Sequence, residues 1–382
     1  MAGWDWLTKP QYNWRFVRNV LVKAIVLFVF LNVLYVLLNP LPWLSKLTMY
    51  NSLIPGRERL PYADDPRASY NVSLTQIEAM FSSHVISQPK ADDEYRVIIL
   101  GDSSVWGWLL TDEQTFDACL NTNDYHLDDG NRLVFYNLGY PVTNATKDLL
   151  ILDYALQYDV DAVVWLMTLE GMYDDDQLDH PILQSNQARV RDLIETYAIS
   201  LDADLLPDDA SLWERTIIGQ RRALGDLIRH QIYGIAWANT EVDHVNPRYF
   251  RAPVANFPNS IGVPNRAYLE NGSLDQYLAL DVLQAGAARI GDTPFLMVNE
   301  PIFMGSGLNS DLRYNDLYPR WIYDEYRQLW LDLAESNGWN HLDIWDAVPA
   351  DQFTDFPLHY TAEWTCRVAQ DMILPQVIQM AR

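Results

Sequence analysis

From residue 96 onward the chain alternates short, nearly continuous apolar runs with longer stretches in which apolar residues recur at helical spacing. Five runs, at 96–100, 133–137, 162–167, 294–299 and 341–345, have the length and bounding residues of buried strands. Amphipathic stretches at 114–121, 146–157, 274–288, 319–336 and 362–380 have the period of helices. This alternation predicts an α/β fold, a parallel sheet covered by helices. The interval from 171 to 291 is too long for one crossover, so an inserted helical subdomain is expected at about 172–290. Its strongest helical stretch runs over 211–238 and ends on Tyr233, Ile235 and Trp237. Packing of that end onto the main domain is the preferred expectation, ahead of contact with a membrane or an acyl chain.

The N-terminal pattern is different. Residues 20–38 form an apolar run broken only by Lys23 and Asn32, long enough to cross a bilayer as a helix. Lys23 lies near one end, where its stem can snorkel to the headgroups, and one Asn is tolerable. Lys9, Arg15, Arg18 and Lys23 precede or open the run, while Lys46, Arg57 and Arg59 follow it, a weak bias toward a cytoplasmic N-terminus. No small-residue cleavage site follows the run, which favours a retained anchor over a signal peptide. The organisation read from the sequence is therefore a cytoplasmic segment 1–19, a membrane anchor 20–38, a proline-rich connecting stalk 39–92 and an extracytoplasmic domain 93–382.

Composition narrows the function classes. Of 382 residues, 49% are apolar and 20% charged, a globular mixture. The formal net charge of −24 is spread along the chain and repels phosphate backbones, so nucleic acid is not an expected partner. Cys119 and Cys366 are too few for a disulfide framework, and two buried free thiols are preferred over a bridge. The histidines form no HExxH-like spacing, so neither a metal nor another cofactor is expected.

The first apolar run leads directly into Gly101-Asp102-Ser103-Ser104-Val105-Trp106-Gly107. In an open parallel sheet the carboxyl ends of the strands carry the active site, and a serine there exposes its hydroxyl beside its own amide and a helix N-terminus. Near the chain end, Asp355-Phe356-Pro357-Leu358-His359 precedes the last helical stretch, and a histidine so placed can reach that serine as general base. These two blocks resemble those of the SGNH, or GDSL-type, hydrolases. The resemblance covers roughly residues 95–380 and implies a flavodoxin-like, three-layer αβα fold. It also implies Ser103 as nucleophile, His359 as proton shuttle and Asp355 as the group orienting His359. Gly101 and Asp102, in the nucleophile turn, are expected among the oxyanion or substrate-binding residues.

The chain departs from the family at three places. One extra residue separates Asp355 from His359, relative to Asp-x-x-His. After the second strand the family's Asn-x-Gly-x-x-Gly becomes Asn137-Leu138-Gly139-Tyr140-Pro141-Val142, so that Val142 stands where a glycine supplies an oxyanion amide. After the third strand, the family's Gly-x-Asn-Asp is replaced by Thr168-Leu169-Glu170-Gly171, which leaves Thr168 or Asn144 to supply a side-chain donor. An ionised Glu170 cannot donate.

The leading expectation is serine ester chemistry on acylated glycans or lipids of a cell envelope. Water as acceptor makes an esterase. A sugar hydroxyl makes an O-acyltransferase, which calls for a membrane acyl-donor protein as partner. The rival is a decayed domain of the same fold that binds glycan or serves as an assembly subunit.

Overall fold

The five apolar runs form one parallel sheet in the computed structural model, which describes residues 13–47, 56–63, 74–240, 252–257 and 273–382. Lys9 and most of the expected cytoplasmic segment lie outside the described residues. In chain order the principal elements are α1 (Trp14–Leu38), α2 (Leu41–Ser45), α3 (Ile77–Ser83), β1 (Glu94–Leu100), α4 (Ser103–Trp106), α5 (Phe116–Asn121), β2 (Arg132–Asn137), α6 (Ala145–Ala155) and β3 (Ala162–Met167). They continue with α7 (Pro181–Ser185), α8 (Gln187–Tyr197), α9 (Arg221–Thr240), α10 (Leu280–Ile290), β4 (Phe295–Asn299), α11 (Arg320–Asn337), β5 (Asn340–Asp343), α12 (Ala362–Arg367) and α13 (Leu374–Met380). The last two helices join through a π-helical stretch, Val368–Ile373.

The strand order is β2-β1-β3-β4-β5, all parallel, which is the flavodoxin-like arrangement. The chain leaves β1 for one side of the sheet and returns to the other for β3. The loops after β1 and β3 therefore diverge and open a crevice at their carboxyl ends.

Side chains alternate across the sheet with period 2. Ile98, Leu100, Val163, Trp165 and Met297 join α3, α6, α10 and α11 in one apolar layer, while Val97, Ile99, Val164, Leu166 and Val298 join α5, α12 and α13 in the other. Both faces are covered, which is why these runs are continuously apolar. Each fully buried aliphatic side chain contributes roughly 1.5–3 kcal/mol toward folding.

Three expectations need correction. Cys119 of α5 and Cys366 of α12 form a disulfide, with Cα atoms 5.2 Å apart. Their helices lie in the same layer, a neighbourhood hidden by a sequence separation of 247. The long helix of the insertion begins at Arg221 rather than 211. Within 211–220 the local side chains take up backbone groups: the Ser211 amide and hydroxyl donate to Glu214, Thr216 Oγ1 donates to Trp213 O, and Gly219 N donates to Thr216 Oγ1. Such bonds compete with a helix. Finally, among the described residues α9 packs by one face. Leu227 is buried with Ala79 and beside Leu44, but Ile228, Ile232 and Tyr233 are 60%, 64% and 52% exposed. The Ile235 and Trp237 side chains lie outside the described residues.

The described part of 39–92 packs against the domain. The α3 residues Ile77, Met80 and Phe81 are fully buried in the core. Arg59 donates to the carbonyls of Gly107 (3.1 Å) and Leu110 (3.3 Å), stacks over Trp106 and pairs with Asp112.

Candidate active site

Asp102, two residues beyond β1, caps the one-turn helix α4, its carboxylate accepting the Ser104 amide at 2.7 Å. The capping residue is thus Asp102, and the next position, Ser103, has its hydroxyl free of that task. Loop β2–α6 packs against this turn, backbone to backbone. A Cβ on Gly139 would meet Trp106 N at 2.4 Å and Val105 C at 2.8 Å, so only glycine fits. Asn137, fully buried, locks the contact: its amide nitrogen donates to Val105 O (2.8 Å) and Asp117 (3.0 Å), and its oxygen accepts Gly139 N (3.1 Å).

His359 arrives from the other end of the chain. Phe353 pairs with Tyr360, Thr354 N donates to His359 O (2.7 Å) and His359 N donates to Phe356 O (3.1 Å). This tight turn absorbs the extra residue between Asp355 and His359 and turns both side chains toward each other. His359 Nε2 lies 2.7 Å from Ser103 Oγ, and His359 Nδ1 lies 2.8 Å from Asp355 Oδ1. With Nδ1–H donated to the carboxylate, Nε2 is the lone-pair nitrogen facing the hydroxyl.

Burial alone would push the Asp355 carboxyl up, but the hydrogen bond and charge of His359, with help from Trp108, hold it below its ordinary value. Asp355 stays ionised and can stabilise an imidazolium. Trp108 Nε1 donates to Asp355 Oδ2 at 3.1 Å, and its ring lies over His359. No motif singled this tryptophan out. The only sequence signal was its place just after the GDSSVWG block.

The side facing a developing oxyanion is less complete. Val142 has φ 71°, in the left-handed region where a β-branched residue is strained. The loop thus keeps the conformation that suits a glycine, although valine occupies it. Among the described residues, the amides of Ser103 and Val142 have no intramolecular acceptor.

The side chains expected to add a donor are engaged elsewhere. Asn144 caps α6, accepting Lys147 N (2.7 Å), and its amide hydrogens go to Asp176 O (3.1 Å) and Gln177 O (3.2 Å). Thr168 is buried, with its hydroxyl 3.0 Å from that of Tyr318. Both line a narrow pocket with Asp102; the Asn144 amide hydrogens are both taken, and the Thr168 hydroxyl is paired with that of Tyr318. Next to Val142, a cleft of about 270 Å³ is lined by Thr143, Glu170, Tyr173, Gln177 and His180.

Beneath the site lies a buried charged layer. Lys147 is fully buried and donates to Gly101 O (3.1 Å) and Tyr140 O (2.5 Å), tying the nucleophile strand to the loop after β2. It pairs with Asp148 at 2.8 Å, and Asp148 also accepts Trp165 Nε1 at 3.1 Å. Glu300 accepts Ser104 Oγ at 2.5 Å. Burial, followed by the charge of Asp102, pushes the Glu300 carboxyl well above its usual range. Asn299 donates to Asp343 at 2.8 Å and is fully buried, so this pair of strand-end residues supports the floor of the site and does not line its opening.

His180, also overlooked in the sequence, backs the oxyanion-side loop. Its Nδ1 accepts Ile182 N (3.2 Å), which leaves Nε2–H to donate to Pro141 O at 3.3 Å. Burial, reinforced by the Lys147 charge, lowers its pKa to about 3, and it remains a neutral donor at ordinary pH. Among the described residues no group of histidine, cysteine and carboxylate side chains could hold a metal ion.

No family model matches the sequence, and no curated protein matches it either. Similar solved structures include a carbohydrate acetylesterase family member from Sinorhizobium meliloti, at 14% identity and a TM-score of 0.33, covering 75% of this chain and 98% of that one. Est24, a carbohydrate acetylesterase from the same organism, has 12% identity and a TM-score of 0.35, covering 75% of this chain and all of that one. The native M. smegmatis aryl esterase has 12% identity and a TM-score of 0.33, over 75% of this chain and 99% of its own. Likenesses this distant leave the chemistry to be argued from the side chains of this chain.

Proposed function

We propose that the chain is a membrane-anchored, extracytoplasmic serine esterase or O-acyltransferase of the SGNH type, acting on acyl esters of envelope glycans or lipids. The observation that carries this reading is the continuous hydrogen-bonded line from Ser103 Oγ through His359 to Asp355. Ser103 Oγ attacks the acyl carbonyl while His359 Nε2 takes its proton. The oxyanion of the tetrahedral intermediate is met by the amides of Ser103 and Val142. Collapse expels the alcohol, which takes its proton from His359, and leaves an acyl group on Ser103. Water or a sugar hydroxyl then repeats the sequence in reverse, giving hydrolysis or transfer. Transfer would draw on an acyl donor delivered by a membrane partner.

The anchoring part of the reading rests on α1, a 25-residue helix whose side chains are almost wholly exposed and which is apolar enough to cross a bilayer. The Cys119–Cys366 disulfide supports a domain outside the cytoplasm, since such bonds persist in oxidising compartments.

A second reading, a non-catalytic binding or assembly subunit, is favoured by the oxyanion side alone, where Asn144 and Thr168 are already bonded within the protein. A fluorophosphonate probe decides between the two. Labelling of the native chain that disappears in Ser103→Ala is the expected result. A folded native chain that takes up no probe would instead favour the binding module.

A further inference from the structure

The N-terminal helix is not alone at bilayer depth. Asn32 is the one buried residue of α1, and it is buried by the insertion. Its Oδ1 accepts the Ile217 amide at 3.1 Å, while its Nδ2 donates to Phe28 O at 2.9 Å. Toward the C-terminal end of the helix, Tyr35 donates to Gln220 at 2.8 Å and Arg215 donates to Val36 O at 3.3 Å. Asn32 precedes Leu38 by six residues, which at 1.5 Å per residue is about 9 Å along the helix axis. Ile217 is thus held at the depth to which interfacial elements sink, roughly 5–10 Å into the headgroup and acyl boundary.

Between the two segments runs a groove of about 430 Å³ whose walls include Phe28, Val33, Leu37, Leu212, Trp213 and Ile218. Leu212 and Trp213 are 72% and 64% exposed. The polar side chains in the groove, Asn32 and Thr216, spend their hydrogen bonds inside the protein. So do the backbone amides of Glu214, Arg215, Thr216, Ile217, Gly219 and Gln220, whereas those of Leu212, Trp213 and Ile218 have no acceptor among the described residues. Backbone groups satisfied internally lower the cost of placing a non-helical segment at this depth, and at the headgroup boundary the remaining amides can still meet water or lipid headgroups. A groove with apolar walls and no directional demand suits a flexible hydrocarbon chain. A protein partner would leave less of its recognition to shape alone.

We propose that residues 212–218 of the insertion enter the leaflet in which α1 ends, and that the groove between them holds the acyl chain of a membrane phospholipid. The inference rests on the reading of α1 as a membrane anchor. It turns a single tether into a two-element mount that fixes how the domain faces the membrane. The exposed row of α9, Ile228, Ile232 and Tyr233, with Arg221, Arg222 and Arg229 on the same helix, has the composition of a helix lying along a lipid surface.

The test uses the full chain in phosphatidylcholine liposomes, where the disulfide leaves no native thiol to compete for a label. Trp213→Cys and Ile25→Cys are each labelled with an environment-sensitive fluorophore and quenched by iodide in water or by nitroxides at shallow and deep acyl positions. Shallow nitroxides are expected to quench the Trp213→Cys label and deep ones the Ile25→Cys label, with little iodide quenching of either. In the Asn32→Leu background, which deprives the Ile217 amide of its acceptor, the label at 213 should lose lipid quenching and shift its emission to the red. Iodide quenching at 213 with lipid quenching at 25 overturns this inference and leaves the anchor intact. Iodide quenching at both positions sinks the anchor reading as well. A 213 label shielded from every quencher means that protein covers the groove, which also overturns the proposal.

Discussion

The proton-relay side of the proposed site and its proposed oxyanion side are built on different terms. Ser103, His359 and Asp355 reach one another through side chains at 2.7 and 2.8 Å, each presented by a tight local turn, with Trp108 closing the far end of the carboxylate. The oxyanion side depends on two backbone amides, of Ser103 and Val142, and the loop carrying Val142 is held from behind by Asn137, Lys147 and His180. Identity at a few positions is enough for the first side. For the second, the decisive quantity is a loop conformation, and a valine can occupy it at a cost.

The sharpest break in this comparison is Ser103→Ala. Turnover of a p-nitrophenyl acyl ester should fall on the order of 10⁴-fold or more while the urea unfolding midpoint is retained. Preserved activity would remove Ser103 from the mechanism. Asp355→Asn should cost at least about a hundredfold in kcat, because the imidazole loses the acceptor that orients it. It carries a pH signature too. The Asp355 carboxyl is held below its ordinary value in the folded protein, so its stabilising contribution is complete above the unfolded carboxylate value, near pH 4, and is lost as pH falls through the folded value. The difference in Tm between native chain and Asp355→Asn should therefore shrink on acidification below about pH 4. A gap that widened there would contradict the sign.

Lys147→Met tests the supporting layer. It strands Asp148 as an unpaired buried charge and frees two carbonyls, so a loss of about 3–5 kcal/mol is expected by urea titration. Adding Asp148→Leu should return part of that loss. Smaller still is Val142→Gly, which relieves the left-handed backbone and should raise stability by about 1 kcal/mol. An unchanged or lower unfolding midpoint would show that the loop is not strained. The least effect belongs to Thr168→Val. Since its hydroxyl faces Tyr318, kcat should change by less than about threefold, and a larger loss would return Thr168 to the reacting centre.

How far the sequence could be read follows the same division. The sheet was legible because strands covered on both faces are continuously apolar, and β1, β3 and β4 fall within a residue or two of their expected bounds. Ser103 and His359 stood at the two places where such a sheet carries chemistry. Thr168 and Asn144 were plausible donors by residue type, but whether a donor is free depends on its partners. Tyr318 lies 150 residues from Thr168, and the carbonyl of Gln177 lies 33 from Asn144. The Cys119–Cys366 bridge was missed for the same reason. The helix expected at 211 failed through local competition, Ser211 and Thr216 binding nearby backbone, and that was visible in the residue types.

The bridge has a further consequence for the chain as a covalent object. Cys119 follows Ser103, and Cys366 follows His359, so a protease cut between 119 and 359 gives one piece carrying α1 and Ser103 and another carrying His359, still linked through sulfur. A nick within the insertion would divide the polypeptide without releasing either half from the other. It would appear as a single band in a gel until a reducing agent separates the two fragments.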